Sequence, residues 1–292
     1  LMLPVLFLNL LESTQENNCF RPMADRLKFW IRANPCESCM FNFIRLLFLT
    51  VSLVGLLLST NAVGQEKKKT EKPPEPPKIL MVIPPFMEQE KTTKILLRGK
   101  QLDLVTSVEA AGKKVKIIRK GKAGVPQGIS AEKLGDTEVE IEITSQKEDR
   151  LELIAKTDAL NSKPFELLIK NGILSEKEPN QGFTQAQELT IPSMVHGKIQ
   201  ANQDVDVFKI KAAPGSLIQV KIHAEKFGSP LDAMLTVYDD AGVKLFFADD
   251  SKESRDVSLS FKMPAGGMVN LCVQDAHDRG GDLFHYLLEV GK

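Results

Sequence analysis

Hydrophobic and polar residues alternate in short runs along most of the chain after residue 79. The clearest run spans residues 138–144, where Val139, Ile141 and Ile143 fall on one face of a strand and three glutamates fall on the other. A period of two is the side-chain period of a β-strand with one wet face. Gly, Asn, Asp and Pro separate the runs, as expected for turns. The pattern predicts an all-β protein.

The runs form two groups. About seven lie in residues 79–172 and seven or eight more in residues 173–292, with a boundary near Asn171 and Gly172. About seven short strands with this spacing are typical of an immunoglobulin-like sandwich, and 292 residues leave room for two ordinary domains. We therefore predict two β-sandwich modules in tandem, an immunoglobulin-like one at 79–172 and a second at 173–292.

One stretch of the first group lacks this periodicity. Residues 120–136 contain several glycines and no alternation, which predicts a long loop between two strands. Two interpretations stay open for it: a loop that a partner grips, or a mobile loop without function.

The first 78 residues have a different character. Arg45 precedes an uninterrupted apolar stretch at 46–58, and small residues including Ala62 and Gly64 follow. This order predicts a signal peptide at 40–64 with cleavage before Gln65. A membrane anchor is the alternative, but the stretch falls short of the roughly 20 residues that a spanning helix needs. We predict an over-extended gene start for 1–39 and a charged, proline-rich linker for 65–78.

Charge and cysteine content exclude several classes of function. Lys plus Arg and Asp plus Glu each total 38, so no net field favours nucleic acid, and contact with a membrane is expected only through an uncleaved signal segment. Cys36 and Cys39 form a CxxC pair without a second pair, which argues against a structural zinc site. Cys272 lies in a strand-like run and is predicted to be buried and inert.

The chain also lacks a recognisable catalytic motif. Its histidines, His196, His223, His277 and His285, are dispersed, and none belongs to an HExxH or GxSxG motif. The neighbouring Asp249 and Asp250 carry no sign of the separation that a pair of catalytic carboxylates needs. We predict a protein that is not an enzyme.

The second module carries a series of motifs in a fixed order. They are EKEPNQ at 176–181, DVDVF at 204–208, GSPLDA at 228–233, DDAG at 239–242, DD at 249–250 and RGGD at 279–282 followed by YLL at 286–288. Together they resemble the bacterial pre-peptidase C-terminal (PPC) domain. The resemblance implies a β-sandwich appended to secreted proteins, often proteases, with calcium bound in some relatives. A shorter segment, with Pro84-Pro85 and the run from Ile95 to Leu102, resembles the start of IPT/TIG immunoglobulin-like domains.

The resemblance to PPC domains also implies a metal site. Its calcium ligands map onto acidic and amide residues of the first two motifs: Glu176, Glu178, Asn180, Asp204 and Asp206. Such oxygen donors suit Ca²⁺. Gln181 departs from the family pattern, which often has Asp there. The alternative is purely structural: Glu178 to Asn180 stiffens the start of the module, and Asp204 and Asp206 cap a turn.

These observations predict an exported binding or scaffolding protein, secreted or held in the periplasm or cell envelope. Its expected partner is an extracytoplasmic protein, with a polysaccharide as the second candidate, because the few aromatic residues suit a core better than a sugar-binding platform. Calcium is the one expected cofactor. Two alternatives remain: a structural or export-assisting module without a selective ligand, and a secreted hydrolase with an unrecognised site.

Overall fold

A computed structural model describes residues 74–250 and 254–292. The predicted signal peptide, the 39 residues before it, the CxxC pair and residues 65–73 of the predicted linker lie outside the described residues. Among the described residues, no helix has the length and apolar character needed to cross a membrane.

The first module has nine strands in two sheets. They are β1 (Lys78–Ile83), β2 (Phe86–Met87), β3 (Thr92–Lys100), β4 (Ser107–Ala110), β5 (Lys113–Lys114), β6 (Lys116–Lys122), β7 (Thr137–Thr144), β8 (Arg150–Lys156) and β9 (Phe165–Ile169). The sheet orders are β1-β3-β7-β6 and β2-β9-β8-β4-β5. Side chains from both sheets, including Ile95, Leu97, Val139, Ile141 and Leu153, fill one buried core between them.

Strand β7 shows why this sheet has a dry and a wet face. Val139 and Ile141 are fully buried, while the alternate glutamates face the other side. There, Arg119 of β6 pairs with Glu138 and Glu140 across the strands. Cross-strand pairs of opposite charge stabilise such a face, so the predicted alternation is confirmed.

The second module has ten strands in two further sheets. They are β10 (Leu174–Ser175), β11 (Gln187–Leu189), β12 (Ser193–Lys198), β13 (Val205–Lys211), β14 (Leu217–His223), β15 (Ala233–Tyr238), β16 (Lys244–Ala248), β17 (Val257–Lys262), β18 (Met268–Asp275) and β19 (His285–Gly291). The orders are β10-β12-β19-β14-β17 and β11-β13-β18-β15-β16. The predicted all-β fold with two sandwiches is confirmed.

Several local predictions can be compared directly with the structure. The Asp239–Gly242 turn joins the antiparallel strands β15 and β16, and Asp239 Oδ1 accepts a hydrogen bond from Val243 N. Cys272 is a buried free thiol of β18, and burial raises its pKa to about 12. The short strands β10, β11 and β12 were not predicted.

The prediction of a long connection between two strands at residues 120–136 is confirmed for residues 123–136, but its first three residues belong to a strand and it contains a helical turn. Strand β6 extends to Lys122, and a short helix α1 (Ala131–Leu134) begins after Ser130, whose side chain accepts a hydrogen bond from Glu132 N. Between them, Ile129 packs against the core of the second module. The segment has a structural partner within the chain.

The two modules contact each other through a small apolar cluster, which we call the module joint. Its buried members, Met194, Phe227 and Leu287, come from the second module, and Phe86 and Leu168 from the first pack against them. Gly228 belongs to the same region: a Cβ there would clash with the carbonyl oxygen of Leu80. Glycine at this position therefore lets the two backbones approach closely.

Candidate metal site

The start of the second module lies against the outer side of strand β12. The backbone N–H of Glu176 donates to the carbonyl of His196 (3.0 Å), and the N–H of Lys198 donates to Glu176 Oε2 (2.9 Å). These bonds hold the Glu176 carboxylate beside the beginning of strand β13. The chain then crosses to that strand, where the carbonyl of Asn180 accepts from Val207 N (3.0 Å).

Four carboxylates meet at this point, and we call them the acidic cluster: Glu176, Glu178, Asp204 and Asp206. Glu178, Asp204 and Asp206 each offer an oxygen within 4.8 Å of the others. Glu176 lies near enough to Asp206 for its charge to raise the pKa of Asp206. Asn180 joins them through its backbone N–H, which donates to Glu178 Oε2 (3.0 Å). All five residues predicted from the sequence therefore come together.

Asp204 has a clear structural task. Its Oδ2 accepts a hydrogen bond from Gln200 N (2.6 Å), and its Oδ1 accepts from Val205 N (3.0 Å), which fixes the turn before β13. The Gln181 side chain also lies near Oδ1, with its Nε2 at 3.4 Å. The turn-capping interpretation thus accounts for Asp204.

Asp206 is more deeply placed. Its side chain is fully buried, and Tyr286 donates its hydroxyl proton to Oδ2 over 2.5 Å. The Tyr286 ring lies against Gly197 of the neighbouring strand, where any Cβ would overlap the ring. Glycine at 197 therefore creates the space that brings the tyrosine to the aspartate.

Three buried polar atoms near the cluster have no hydrogen-bond partner among the described residues. They are both side-chain atoms of the amide of Asn180 and Oδ1 of Asp206. Asn180 and Asp206 are both 0% exposed. An unpaired buried polar group costs roughly 1–3 kcal/mol. The turn-capping interpretation does not explain why these atoms are buried without hydrogen-bond partners.

Burial and mutual repulsion change the protonation of the cluster. Burial raises the pKa of Glu176 to about 7, and the charges of Glu178 and Asp204 contribute in the same direction. Burial, with the charge of Glu176, raises the pKa of Asp206 to about 9. Without a cation, the cluster therefore holds protons near neutral pH. A divalent cation would replace them and would use the unpaired oxygens.

The donors present fit calcium chemically. Ca²⁺ takes roughly six to eight oxygen ligands from carboxylates, amides, carbonyls and water. The cluster and Asn180 offer carboxylate and amide oxygens without nitrogen or sulfur, the set that a hard cation prefers. An open cleft of about 620 Å³ borders the cluster, with Leu174, Gln185 and Glu188 among its lining residues, and gives water and ions a path to it.

Other acidic residues of the second module have different roles. Asp249 Oδ1 accepts from Asp250 N (2.9 Å), as expected for a turn. Asp275, which the sequence did not single out, is buried, and Arg279 binds both of its oxygens at 3.0 Å. Asp232 lies 3.3 Å from His277 Nε2.

The histidines are less dispersed than the sequence predicted. His196 and His285 meet across strands β12 and β19, with Nε2 of the first 3.0 Å from Nδ1 of the second. They are separated by 89 positions in the sequence. Only the strand pairing reveals their proximity.

Comparison with known proteins gives limited sequence similarity. No family model matches the chain. A probable subtilase-type serine protease of Deinococcus radiodurans is 32% identical over 106 residues, which cover 34% of this chain. The chain spans 14% of the length of that protease.

Solved structures offer further likenesses. The pre-peptidase C-terminal domain of a collagenase from Bacillus anthracis is 14% identical, with a TM-score of 0.31, over 39% of this chain and 99% of that domain. A glycan-utilisation protein of Bacteroides ovatus, in complex with a mixed-linkage heptasaccharide, is 8% identical with a TM-score of 0.23, over 70% of this chain and 71% of that one. None of these likenesses assigns a ligand or an activity to this chain.

The likeness to IPT/TIG domains stays a prediction. The second module resembles a pre-peptidase C-terminal domain, as its sequence motifs predicted.

Proposed function

We propose that this protein is an exported, non-catalytic binding or scaffolding protein whose second module is completed by calcium. The observation that supports the calcium site most strongly is the pair of fully buried side chains, Asn180 and Asp206, each of which has an Oδ1 atom without a hydrogen-bond partner. Glu176, Glu178 and Asp204 would complete the ligand set with Asn180 and Asp206.

Calcium at this position would act as a structural clasp. The ligands come from two segments, 176–180 before the first long strand of the module and 204–206 at the start of β13. One cation bound to both segments would link the start of the module to strand β13. It would also offset the repulsion among the four carboxylates. Calcium sites of extracellular modules have dissociation constants of roughly 10⁻⁴–10⁻³ M, which suits a protein that works outside the cytoplasm.

The proposed partner is an extracytoplasmic protein. Sugar-binding sites commonly use exposed aromatic platforms, but Tyr286 is fully buried and Phe246 stacks on Phe261. Tyr238 packs against Phe183. These aromatic rings serve the packing of the module. Phe247 is exposed at 46%, but Lys244 lies over its ring, and one such ring is a poor platform, which favours a protein surface over a glycan as the ligand.

The calcium proposal is tested by calorimetric titration and thermal melting of the chelator-treated protein. We expect one Ca²⁺ per chain, and at about ten times the dissociation constant a stabilisation of about 1.4 kcal/mol. Asp204→Asn and Glu178→Gln should weaken binding. Glu188→Gln is the matched control, because Glu188 lines the adjoining cleft and pairs with Lys211 outside the cluster. Absence of both heat and a melting shift at millimolar Ca²⁺ would refute the site.

The binding function needs a separate experiment. The purified protein, immobilised with calcium, is presented to an extract of the cell envelope and to a panel of soluble polysaccharides. One saturable protein partner supports the proposal, and saturable binding of a glycan instead would replace the protein ligand with a sugar. Binding of neither would leave a structural or export-assisting module, and a hydrolase is tested by a broad activity screen on the same sample.

A further inference from the structure

The paired histidines lie outside the acidic cluster and differ from it in their ligand chemistry. His196 projects from β12 and His285 from β19, which run antiparallel side by side. Their rings are nearly parallel, with 17° between the planes and 5.0 Å between centroids. His196 Nε2 and His285 Nδ1 face each other at 3.0 Å. Both residues are partly buried, so a small ion can still reach them.

The hydrogen bonds fix which nitrogen of His285 carries a proton. Its Nε2 lies 2.9 Å from the carbonyl oxygen of Asp282, which can only accept. Nε2 must therefore be the donor, and Nδ1 must present its lone pair toward His196. A carbonyl on the far nitrogen is also the usual partner of a metal-binding histidine, because it orients the ring and raises its basicity.

The surroundings keep both imidazoles neutral. Burial, with the charges of His285 and Lys198, lowers the pKa of His196 to about 4. Burial also lowers the pKa of His285 to about 4. The nearby Lys198 ammonium is paired with Asp282 at 3.2 Å, and the edge of Phe86 from the first module covers His196 at 5.4 Å between centroids. Protons therefore do not compete for these nitrogens at neutral pH.

The separation of the two nitrogens selects a coordination geometry. Bonds from imidazole nitrogen to a divalent metal are about 2.0–2.1 Å long, so two nitrogens 3.0 Å apart subtend roughly 90° at a shared ion, once each ring has turned by roughly 45° to move its lone pair from the line between the nitrogens onto the ion. A right angle is typical of neighbouring ligands in the tetragonal sites of Cu²⁺ and Ni²⁺ and narrower than a tetrahedral zinc site requires.

We propose that His196 Nε2 and His285 Nδ1 form a second metal site, which binds Cu²⁺ or Ni²⁺ in adjacent coordination positions, with water in the others. On binding, the proton on His196 Nε2 leaves and Nδ1 of the same ring takes one up from water, so the ring stays neutral. The site is independent of the proposed calcium site because it uses nitrogen donors on different side chains.

The experiment is a calorimetric titration of the full chain with CuCl₂ or NiCl₂ in about 10 mM Ca²⁺, roughly ten times the weakest expected dissociation constant, so that oxygen sites are saturated. We expect one ion per chain, and His285→Gln and His196→Gln should each weaken binding at least about tenfold. His223→Gln and His277→Gln are matched controls, because these histidines lie beside carboxylates instead of another imidazole. They should change the affinity less than about twofold.

Paramagnetic resonance of the Cu²⁺-loaded wild-type protein gives a readout that needs no variant. Hyperfine splitting from two imidazole nitrogens supports the site, and a spectrum with oxygen ligands alone overturns it. Loss of binding in His223→Gln or His277→Gln, but not in His285→Gln, would also overturn it. Asp204→Asn should leave the copper affinity unchanged, so failure of the calcium proposal and failure of this one are distinguishable.

Discussion

The two modules place their carboxylates differently. In the first, Glu138 and Glu140 lie on the outer face of a sheet, where Arg119 of the neighbouring strand pairs with both. In the second, carboxylates are taken into the interior, where Asp206 and Asp275 are almost completely buried. Burial of a charge is costly unless a counter-charge and hydrogen bonds accompany it. The buried carboxylates of the second module therefore depend on a counter-charge more than the exposed pair of Arg119 and Glu140 does, although the first module also buries one charge, that of Arg98, 3.8 Å from Glu138.

The two buried aspartates differ in where that counter-ion comes from. Although burial opposes ionisation, Arg279 and backbone N–H groups, including that of Asp232, hold the pKa of Asp275 below its usual value. Asp206 receives one hydroxyl hydrogen bond, faces other acids, and has its pKa raised to about 9. The chain supplies a cation for one aspartate and none within reach of the other among the described residues. This contrast favours an external cation at the acidic cluster.

The largest effect is expected from removing the internal counter-ion. Arg279→Met leaves the buried Asp275 carboxylate without its bidentate partner and should cost about 3 kcal/mol at neutral pH. Because the pKa of Asp275 is lowered by folding, the stability from this pair is present above the unfolded pKa and lost as the pH falls through the folded one. The difference between wild type and variant in urea unfolding should therefore shrink at acidic pH.

A second arginine provides the control for this substitution. Arg255 Nε lies 3.0 Å from Glu225, the same distance as in the buried pair, but Glu225 is 40% exposed where Asp275 is 0% exposed. Arg255→Met should cost less than about 1 kcal/mol. Equal losses in the two variants would contradict the importance of burial.

The next effect concerns the acidic cluster and its pH dependence. The pKa values of Glu176 and Asp206 are raised by folding, so their contribution to stability is present below the unfolded values near pH 4 and is lost as the pH rises toward 9. With a chelator, the free energy of unfolding of wild type relative to Asp206→Asn should fall over this range by more than about 1.4 kcal/mol, the equivalent of one pKa unit.

Calcium should reverse the pH dependence of this difference in unfolding free energy, because the ionised cluster is the form that binds the cation. With saturating Ca²⁺, wild type should gain stability over Asp206→Asn as the pH rises. Melting temperatures at several pH values, with and without calcium, measure both slopes. The same dependence of melting temperature on pH with and without calcium would show that no cation binds at Asp206.

The sequence predicted those parts of the structure that follow from local pattern. The alternation of β7 and the turn at Asp239–Gly242 are carried by short motifs, whereas the convergence of the acidic residues was implied only by the resemblance to PPC domains. Strand β12 was missed because Pro192 precedes it and Gly197 interrupts its period of two. Position 197 needs glycine because the Tyr286 ring occupies the space that a side chain would take, and Tyr286 is far from it in sequence.

Long-range pairing explains the other omissions. His196 and His285 meet because β12 and β19 pair in one particular register, and no local pattern specifies that register. The partner of Asp275 is four residues away at Arg279, yet such spacing is common in chains and becomes informative only once the aspartate is known to be buried. Burial and register are properties of the folded chain.

The smallest effect is expected on the outer face of the first module. Arg119 Nε lies 2.6 Å from Glu140, with 55% of the arginine side chain exposed. Exposed pairs contribute roughly 0–1 kcal/mol because water and salt screen them. Glu140→Gln should therefore reduce the free energy of urea unfolding by less than about 1 kcal/mol, and molar NaCl should remove the difference, since the Debye length then falls to about 3 Å. A larger loss that salt does not diminish would mean that the carboxylate of Glu140 is shielded as the buried aspartates are, and the contrast between the carboxylates of the two modules would fail.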